Sequence, residues 1–254
     1  MARAAPVAGM DDGTVLSEGG GGEVGEAAGA AAHLVPLLVW LSPAYPVGAF
    51  AYSHGLEWAV EAGDIRDLAS LEGWVGDLLE QGGPFTDAVF LAHAWRAVRA
   101  RDDAALRDVA ELAAAFAPSR ERQMETLNQG DAFLAATRVA WPAPDLDRLT
   151  HAWEGRAAYP VAVGVSAAAH GVPLGVTLGA FLTAVAANLV SAAVRLVPLG
   201  QTDGNRALAA LSRRVHAIAD RAAARPLADA AGAALRSDIA AMRHETQYTR
   251  LFRS

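Results

Sequence analysis

The chain has 254 residues, of which 53% are apolar and 7% aromatic, and its formal net charge is -7 at pH 7. All 21 basic residues are arginine and cysteine is absent, which excludes P-loop and Schiff-base lysines, disulfides, thiolate nucleophiles and cysteine-ligated metals. The acidic balance argues against nucleic-acid binding, which needs a basic surface. Alanine dominates and strand-favouring clusters are scarce, so the composition predicts an all-α protein.

The first 32 residues are rich in glycine, alanine and acidic residues, with four glycines in a row from Gly19 to Gly22. They lack the continuous apolar run of a secretory signal and have little apolar surface to offset the entropy of ordering. We expect a disordered tail over residues 1–32. A single helical bundle of about nine to ten helices should follow over residues 33–242.

A proline-rich elbow follows the first predicted helix, which spans residues 33–41. Pro43 and Pro46 fix their own φ angles and restrict the residues before them, so residues 42–47 are predicted to be a stiff non-helical connection. The stretch Leu41 to Glu61 reads LSPAYPVGAFAYSHGLEWAVE, and everything after Gly48 is compatible with a helix.

Residues 49–61 are therefore predicted to form one short helix that ends at Gly63, a residue suited to a left-handed cap. On such a helix His54, Glu57 and Glu61 would share a face, since they are three and four residues apart. This pattern fits half of a metal or acid/base site, and it equally fits an ordinary polar helix face.

Periodic apolar residues predict three more helices, over residues 64–80, from about Thr86 to Arg99, and over residues 102–116. Asp67 can cap the first of them. His93, in the second, is interpreted as a buried, hydrogen-bonded core residue rather than a functional one.

Residues 119–140, SRERQMETLNQGDAFLAATRVA, begin with a dense run of charges. Such a run is typical of a solvated helix face supported by pairs four residues apart. Gly130 stands in the middle of this helix, where glycine costs about 1 kcal/mol relative to alanine. We expect another backbone to pack closely against it.

The segment between Arg156 and Arg195 contains 38 consecutive residues without Asp, Glu, Lys or Arg. Residues 174–194 alone are long enough to cross a bilayer, so a membrane hairpin is one interpretation. The break at Gly171 to Pro173 and the lack of an aromatic belt favour two buried helices at the core of a bundle.

The sequence NLVSAAVRLVPLGQTDGNRAL, residues 188–208, ends this apolar segment. Arg195 is its first charge, and a cation at a helix end suits the helix dipole without any functional role. Asp203 is predicted to cap a helix over residues 205–225, and a last helix is predicted over residues 227–242.

The final twelve residues, RHETQYTRLFRS, combine aromatic, leucine and arginine side chains where chain ends are ordinarily polar. This is the composition of a binding hot spot, so residues 243–254 are interpreted as a segment that folds on a partner.

No catalytic constellation is present in the sequence: it contains no G-x-S-x-G, H-E-x-x-H, G-x-G-x-x-G or P-loop pattern. His244 and Glu245 are adjacent and would not face each other on a helix. We predict a helical interaction protein with no catalytic or metal-binding residue. The alternatives are a helical enzyme of unknown reaction and a small membrane-associated protein.

Three stretches, SPAYPVGAFAYSHGLEWAVEAG, NLVSAAVRLVPLGQTDGNRAL and RHETQYTRLFRS, resemble the urease accessory protein UreF family. The resemblance covers about residues 37–254. It implies an all-helical, cytoplasmic homodimer that has no catalytic activity or cofactor of its own. The family binds UreD, also called UreH, and then the GTPase UreG, in the complex that delivers nickel to apo-urease.

The resemblance also assigns roles to residues. In the tail, Tyr248, Arg250, Leu251 and Phe252 would contact UreD. Candidates for the face that meets UreG are Glu57, Arg195, Gln201 and Asp203. Whether the protein modulates GTP hydrolysis by UreG or only scaffolds it stays open.

Overall fold

The computed structural model describes residue 1 and residues 32–254 of the chain. The described residues form α-helices and short 3-10 turns without any strand, which confirms the all-α prediction. The tail predicted over residues 1–32 lies almost wholly outside this part of the chain.

Over residues 32–254 the bundle consists of a helical segment at residues 32–40, which we label α1, and ten further α-helices. These are α2 (Leu56–Glu61), α3 (Leu68–Gln81), α4 (Gly83–Ala100), α5 (Asp103–Ala115), α6 (Arg120–Ala140), α7 (Arg148–Ala152), α8 (Tyr159–Ala169), α9 (Leu174–Leu196), α10 (Gln201–Ala224) and α11 (Leu235–His244). Single 3-10 turns stand at Ala49–Ala51, Pro144–Asp147 and Leu227–Asp229.

Local capping chemistry sets several helix starts. Asp67 accepts a hydrogen bond from the Ser70 N–H at 2.8 Å, so its predicted role as the cap of α3 is confirmed. The α4 helix begins earlier than predicted, at Gly83, because Pro84 is tolerated in a first helical turn. His93 is half-buried and its Nε2 lies 2.9 Å from the Arg225 carbonyl oxygen, a structural contact.

The α8 helix is the centre of the bundle, with α4 and α6 packed on it. A Cβ added to Gly130 of α6 would lie 2.0 Å from the carbonyl oxygen of Ala157, just before α8. The close backbone approach predicted at Gly130 is therefore confirmed, and it is made to Ala157 and Ala158, just before α8.

The long apolar segment is split at Gly171 to Pro173, as predicted. Its two helices have different surroundings: α8 is almost wholly buried, whereas α9 packs mainly on α10 and leaves one face uncovered. Among the described helices, α9 alone has the length and hydropathy to cross a membrane, and half of its most apolar window is buried. The expectation that both helices are fully buried is thus met by α8 only.

The single helix predicted over residues 49–61 is wrong. His54 and Gly55 have φ angles of 58° and 75°, which no right-handed helix contains, so the chain turns there and α2 begins only at Leu56. Tyr52 is extended, and the backbone on either side of it bonds to the C-terminal tail: Ala51 accepts from the Arg253 N–H at 2.8 Å, and the Ser53 N–H donates to Ser254 at 2.6 Å.

Two boundaries near the C-terminus also differ from prediction. The α10 helix begins at Gln201 with Gly200 as its N-cap, and Asp203 lies in the first turn, where it pairs with Arg206 at 2.8 Å instead of capping. After Pro226 the chain forms a 3-10 turn and an extended segment, so the last helix starts at Leu235 and not at residue 227.

Candidate functional site

The turn at residues 53–55 places the start of α2 directly against α11. Gly55 has a positive φ, and a Cβ added to it would lie 2.5 Å from the backbone nitrogen of Ala241. Both the backbone angle and the close approach require glycine. As a result, Glu57 on α2 faces the end of α11 and the tail.

The carboxylate of Glu57 holds the C-terminal tail. It accepts hydrogen bonds from the backbone N–H groups of Leu251 at 2.6 Å and Phe252 at 2.9 Å, and its Oε2 lies 3.2 Å from His244 Nε2. Glu57 is itself buried. Bonds from a buried carboxylate to backbone N–H groups are among the stronger hydrogen bonds in proteins, so this contact ties the tail to the bundle.

His244, at the end of α11, is fully buried between two carboxylates. Its Nδ1 lies 2.7 Å from Glu121 Oε2, opposite the contact to Glu57. The other oxygen of Glu121 accepts from Arg250 at 2.6 Å. A chain of polar contacts therefore runs from α2 through α11 to α6 and back to the tail.

A second buried carboxylate, Glu125, is only 2% exposed. It contacts the Arg122 guanidinium and accepts from His54 Nε2 at 2.9 Å, Gln129 Nε2 at 3.0 Å and Ser254 Oγ at 2.7 Å. The prediction that the charge run at the start of α6 is a solvated helix face holds for the exposed Arg120 but is wrong for Arg122 and Glu125. The side chains of Arg122 and Glu125 turn inward because the turn at His54 and the tail cover them.

The side chains around Glu125 determine its protonation state. Burial by itself would raise the pKa of Glu125, but the charge of Arg122 and the contacts from His54 and Ser254 outweigh it and hold that pKa at about 2. Burial lowers the pKa of His54, and the nearby charge of Arg122 lowers it further. Glu125 is thus ionised and paired with Arg122 at neutral pH.

The half-site considered for His54, Glu57 and Glu61 does not form. His54 binds Glu125, Glu57 binds the tail, and Glu61 accepts from Gln247 at 2.5 Å. Across residues 32–254 no group of three His, Cys, Asp or Glu side chains is placed to hold a metal ion. The reason is the turn at residues 53–55, which removes His54 from the helix.

Arg195, at the end of α9, clamps the tail from the other side. Its guanidinium carbon lies 4.4 Å from the ring centroid of Phe252 and 5.1 Å from that of Phe50. Arg195 also donates to the Phe50 carbonyl oxygen at 3.2 Å. Cation–π contacts on two rings hold the end of the tail against the 3-10 turn at Ala49–Ala51.

The structure brings most of the predicted partner-binding residues together. Phe252 is 4% exposed and packed on its own bundle, whereas Tyr248 is fully exposed and Leu251 is 64% exposed. Arg250 bridges to Glu121. The tail is therefore docked on its own chain, which differs from the expectation of a segment ordered only by a partner.

Gln201 and Asp203 lie apart from this cluster. Both are at the start of α10, and in the described part of the chain no hydrogen bond links either side chain to Glu57 or to the tail. Their proposed partner role remains a prediction.

The sequence analysis gave no individual role to four residues of the cluster: Glu121, Glu125, His244 and Ser254. Their partners lie more than 100 residues away in several cases, as in the contact between His244 and Glu121. No periodicity marks them, since charged residues at this spacing are ordinarily solvated. For Glu121 and Glu125, the one available signal in the sequence was the high density of charged residues before Gly130.

Asp87 on α4 is a half-buried carboxyl group next to this cluster. Burial raises its pKa to about 7, the charge of Glu125 adds to the increase, and the charge of Arg122 partly opposes it. Between about pH 4 and pH 7 the folded chain therefore keeps a proton on Asp87, whereas the unfolded chain has lost it.

Replacing Asp87 with asparagine is expected to stabilise the protein at pH 8 by about 2–4 kcal/mol, since one pKa unit corresponds to about 1.4 kcal/mol. Wild-type stability falls as the pH rises from about 4 to about 7, because the raised pKa disfavours the ionised folded form. The gain should be absent at pH 4. Urea unfolding across this range measures it, and the exposed Asp108→Asn serves as control; equal gains at pH 4 and pH 8 would contradict the prediction.

Comparison with known proteins identifies the same family that the three quoted stretches resemble. The family model named UreF matches residues 65–212. A urease accessory protein UreF of Rhodopseudomonas palustris is 61% identical over 223 residues, covering 88% of this chain and 94% of that protein. The protein of the same name from Bradyrhizobium diazoefficiens is 57% identical over 228 residues, covering 90% and 94%. That from Xanthobacter autotrophicus is 55% identical over 236 residues, covering 91% and 97%.

Proposed function

Because the chain belongs to the UreF family of urease accessory proteins, we propose that it joins UreD (UreH) and the GTPase UreG in the complex that matures the nickel centre of apo-urease. In this proposal it is a cytoplasmic scaffold without catalytic activity, and nickel is the cargo of the complex. The observation that carries the proposal is the tail, which Glu57 and Arg195 hold in one conformation with Tyr248 and Leu251 facing outward.

The outer face of α11 extends the surface that the tail presents. Leu235, Ile239 and Met242 follow each other at helical spacing on this face, and all three are exposed. Together with Tyr248 and Leu251 they supply large apolar side chains that a protein partner would cover. We assign this surface to UreD.

The tail residues fall into two groups in this assignment. Tyr248 and Leu251 are contact residues, whereas Phe252 and Arg250 position the tail through Arg195 and Glu121. A rigid tail binds with less loss of conformational entropy than a free one, so both groups support binding.

The double substitution Tyr248→Ala with Leu251→Ala is expected to weaken UreD binding by about 2 kcal/mol or more, the loss typical of hot-spot side chains. The fold should be unchanged, because neither side chain is buried. Titration of UreD by calorimetry, with matched circular dichroism spectra, measures both. The exposed Val139→Ala on α6 is the control, and wild-type affinity of the double variant would place the UreD surface elsewhere.

The UreG face is assigned to Arg195, Gln201 and Asp203, with Glu57 acting through the tail that it holds. Arg195 and Gln201 are exposed and Asp203 is partly exposed, whereas Glu57 is buried. The sequence has no P-loop lysine, which supports the proposal that the chain does not hydrolyse GTP itself. The GTP hydrolysis rate of UreG, measured with and without the complex, separates modulation from scaffolding.

We also propose that two copies of the chain form a homodimer through the uncovered face of α9. A helix that is apolar on all sides is ordinarily buried, yet one face of α9 is uncovered in the single chain. Its window carries no acidic or basic residue before Arg195, so a second copy of the same face meets no like charge across a twofold axis. Small residues such as Gly175 and Gly179 permit close approach.

Val176→Glu, on the uncovered face of α9, is expected to convert the dimer to a monomer, because two buried carboxylates would face each other near the axis. Val139→Glu on α6, where the valine is 85% exposed, should leave the dimer intact. Sedimentation velocity distinguishes the two states. A Val176→Glu protein that stays dimeric at micromolar concentration would exclude this face as the interface.

A further inference from the structure

The cleft between α4 and α11 contains two half-buried carboxyl groups that form no ion pair with any residue of the described part of the chain. Asp87 projects from α4 and Asp238 from α11 into a space of about 300 Å³. Within residues 32–254 neither carboxylate accepts a hydrogen bond or forms an ion pair. Arg122 is the one arginine among the lining residues, and its guanidinium is bound to Glu125.

The same cleft is lined in part by apolar side chains. Pro84, Phe116 and Pro118 line it together with Ala115 and Ala117, and Phe116 is partly exposed. A volume of about 300 Å³ is at the lower end of the range of small-ligand pockets. A cleft that combines apolar lining with carboxylates lacking an ion-pair partner matches a long basic side chain, which buries its aliphatic stem and keeps its charge at the tip.

We propose that this cleft is a docking site for one arginine or lysine side chain of a partner protein. Charge complementarity selects this occupant, because two half-buried carboxylates without an ion-pair partner place negative charge in a partly enclosed cleft. A metal ion fits less well, since the described residues offer no group of three ligands for it. The inference does not depend on the proposed role in urease maturation, because the isolated chain is sufficient to test it.

Binding of a cation should be linked to the release of a proton. Burial raises the pKa of Asp87 to about 7, and burial also raises the pKa of Asp238. A bound cation favours the ionised form, so affinity should increase about tenfold from pH 6, where roughly one Asp87 in ten is ionised, to pH 8.

The other groups that face Asp87 do not reverse this sign. They are His54 from the turn before α2, Arg122 and Glu125 from α6, Tyr159 from α8 and Asp238 from α11. Burial raises the pKa of Tyr159, so this side chain stays neutral from pH 6 to pH 8. Burial lowers the pKa of His54, so any positive charge on its ring decreases as the pH rises, which favours cation binding in the same direction. Glu125, with a pKa of about 2, stays ionised throughout.

The test is a titration of the full chain with n-propylguanidinium chloride, which carries the cationic end of an arginine side chain, followed by two-dimensional NMR. Sodium chloride at equal ionic strength is the reference. We expect saturable shifts at millimolar concentrations that tighten about tenfold from pH 6 to pH 8. Asp87→Asn and Asp238→Asn should each lose the saturable shifts, whereas the exposed Asp220→Asn should keep them.

Several outcomes would overturn the proposal. They are shifts no larger than those with sodium chloride, undiminished binding by both cleft variants, and weaker binding at pH 8 than at pH 6. Asp87-dependent saturation by Ni²⁺ without any by n-propylguanidinium would identify a metal site instead. Thermal unfolding of each variant confirms that the folded protein is being titrated.

Discussion

Replacing Glu125 with alanine should destabilise the protein by about 3–5 kcal/mol, the typical cost of removing one partner of a buried ion pair. Glu125 is 2% exposed and neutralises Arg122, whose side chain is 11% exposed. Without the carboxylate, the Arg122 charge stays buried and the side chains of His54, Gln129 and Ser254 lose an acceptor. Equilibrium unfolding in urea at pH 7 measures the loss.

Two controls separate the ion pair from simple truncation. The double variant Arg122→Met with Glu125→Leu removes both charges, and most of the lost stability should return. The difference between wild type and Glu125→Ala should also shrink as the pH falls from about 4.5 to about 2, because the lowered pKa of Glu125 contributes stability only above that range. If the Glu125→Ala protein were as stable as wild type, solvent would have to reach the Arg122 guanidinium.

The Glu125→Ala substitution should also loosen the tail that presents the proposed partner surface, because the Ser254 hydroxyl donates a hydrogen bond to the Glu125 carboxylate. The backbone N–H groups of Leu251 and Phe252 remain bound to Glu57, so the tail should loosen at its end first. Hydrogen exchange of residues 251–254 reports this directly. Deleting residues 243–254 should expose Glu57 and remove the buried His244.

Gly130→Ala should destabilise the protein by about 3 kcal/mol or more, at the upper end of the costs of overpacking. The added Cβ would lie 2.0 Å from the Ala157 carbonyl oxygen. That segment cannot easily retreat, since Arg156 bonds to Asp131 at 2.7 Å and to Asn128 at 2.8 Å on α6. Separation of α6 from α8 would disturb the centre of the bundle.

Gly73→Ala is the matched control for Gly130→Ala. Gly73 is an exposed residue inside α3 with no heavy atom within 4 Å of an added Cβ. The same substitution there should stabilise the protein by about 1 kcal/mol through helix propensity. Thermal melts of both variants give the comparison, and a Gly130→Ala protein at least as stable as wild type would show that α6 and α8 can separate without cost.

Features that depend on neighbouring residues could be predicted from the sequence. The cap at Asp67 depends on a residue three positions away, and the break at Gly171 to Pro173 depends on backbone restrictions within the segment itself. The all-α class follows from composition in the same way. Gly130 was also recognised, because an unfavourable residue inside a helix requires a packing reason.

The candidate site was decided by tertiary structure. His54 adopts a positive φ against its own local preference for a helix, and the turn there is stabilised by contacts to Glu125 and the tail. Glu125 and His244 are buried because partners distant in sequence satisfy their charges and hydrogen bonds. A charged side chain has the same sequence pattern whether it is solvated or paired in a core, since burial depends on the energy of partners that a local pattern does not contain.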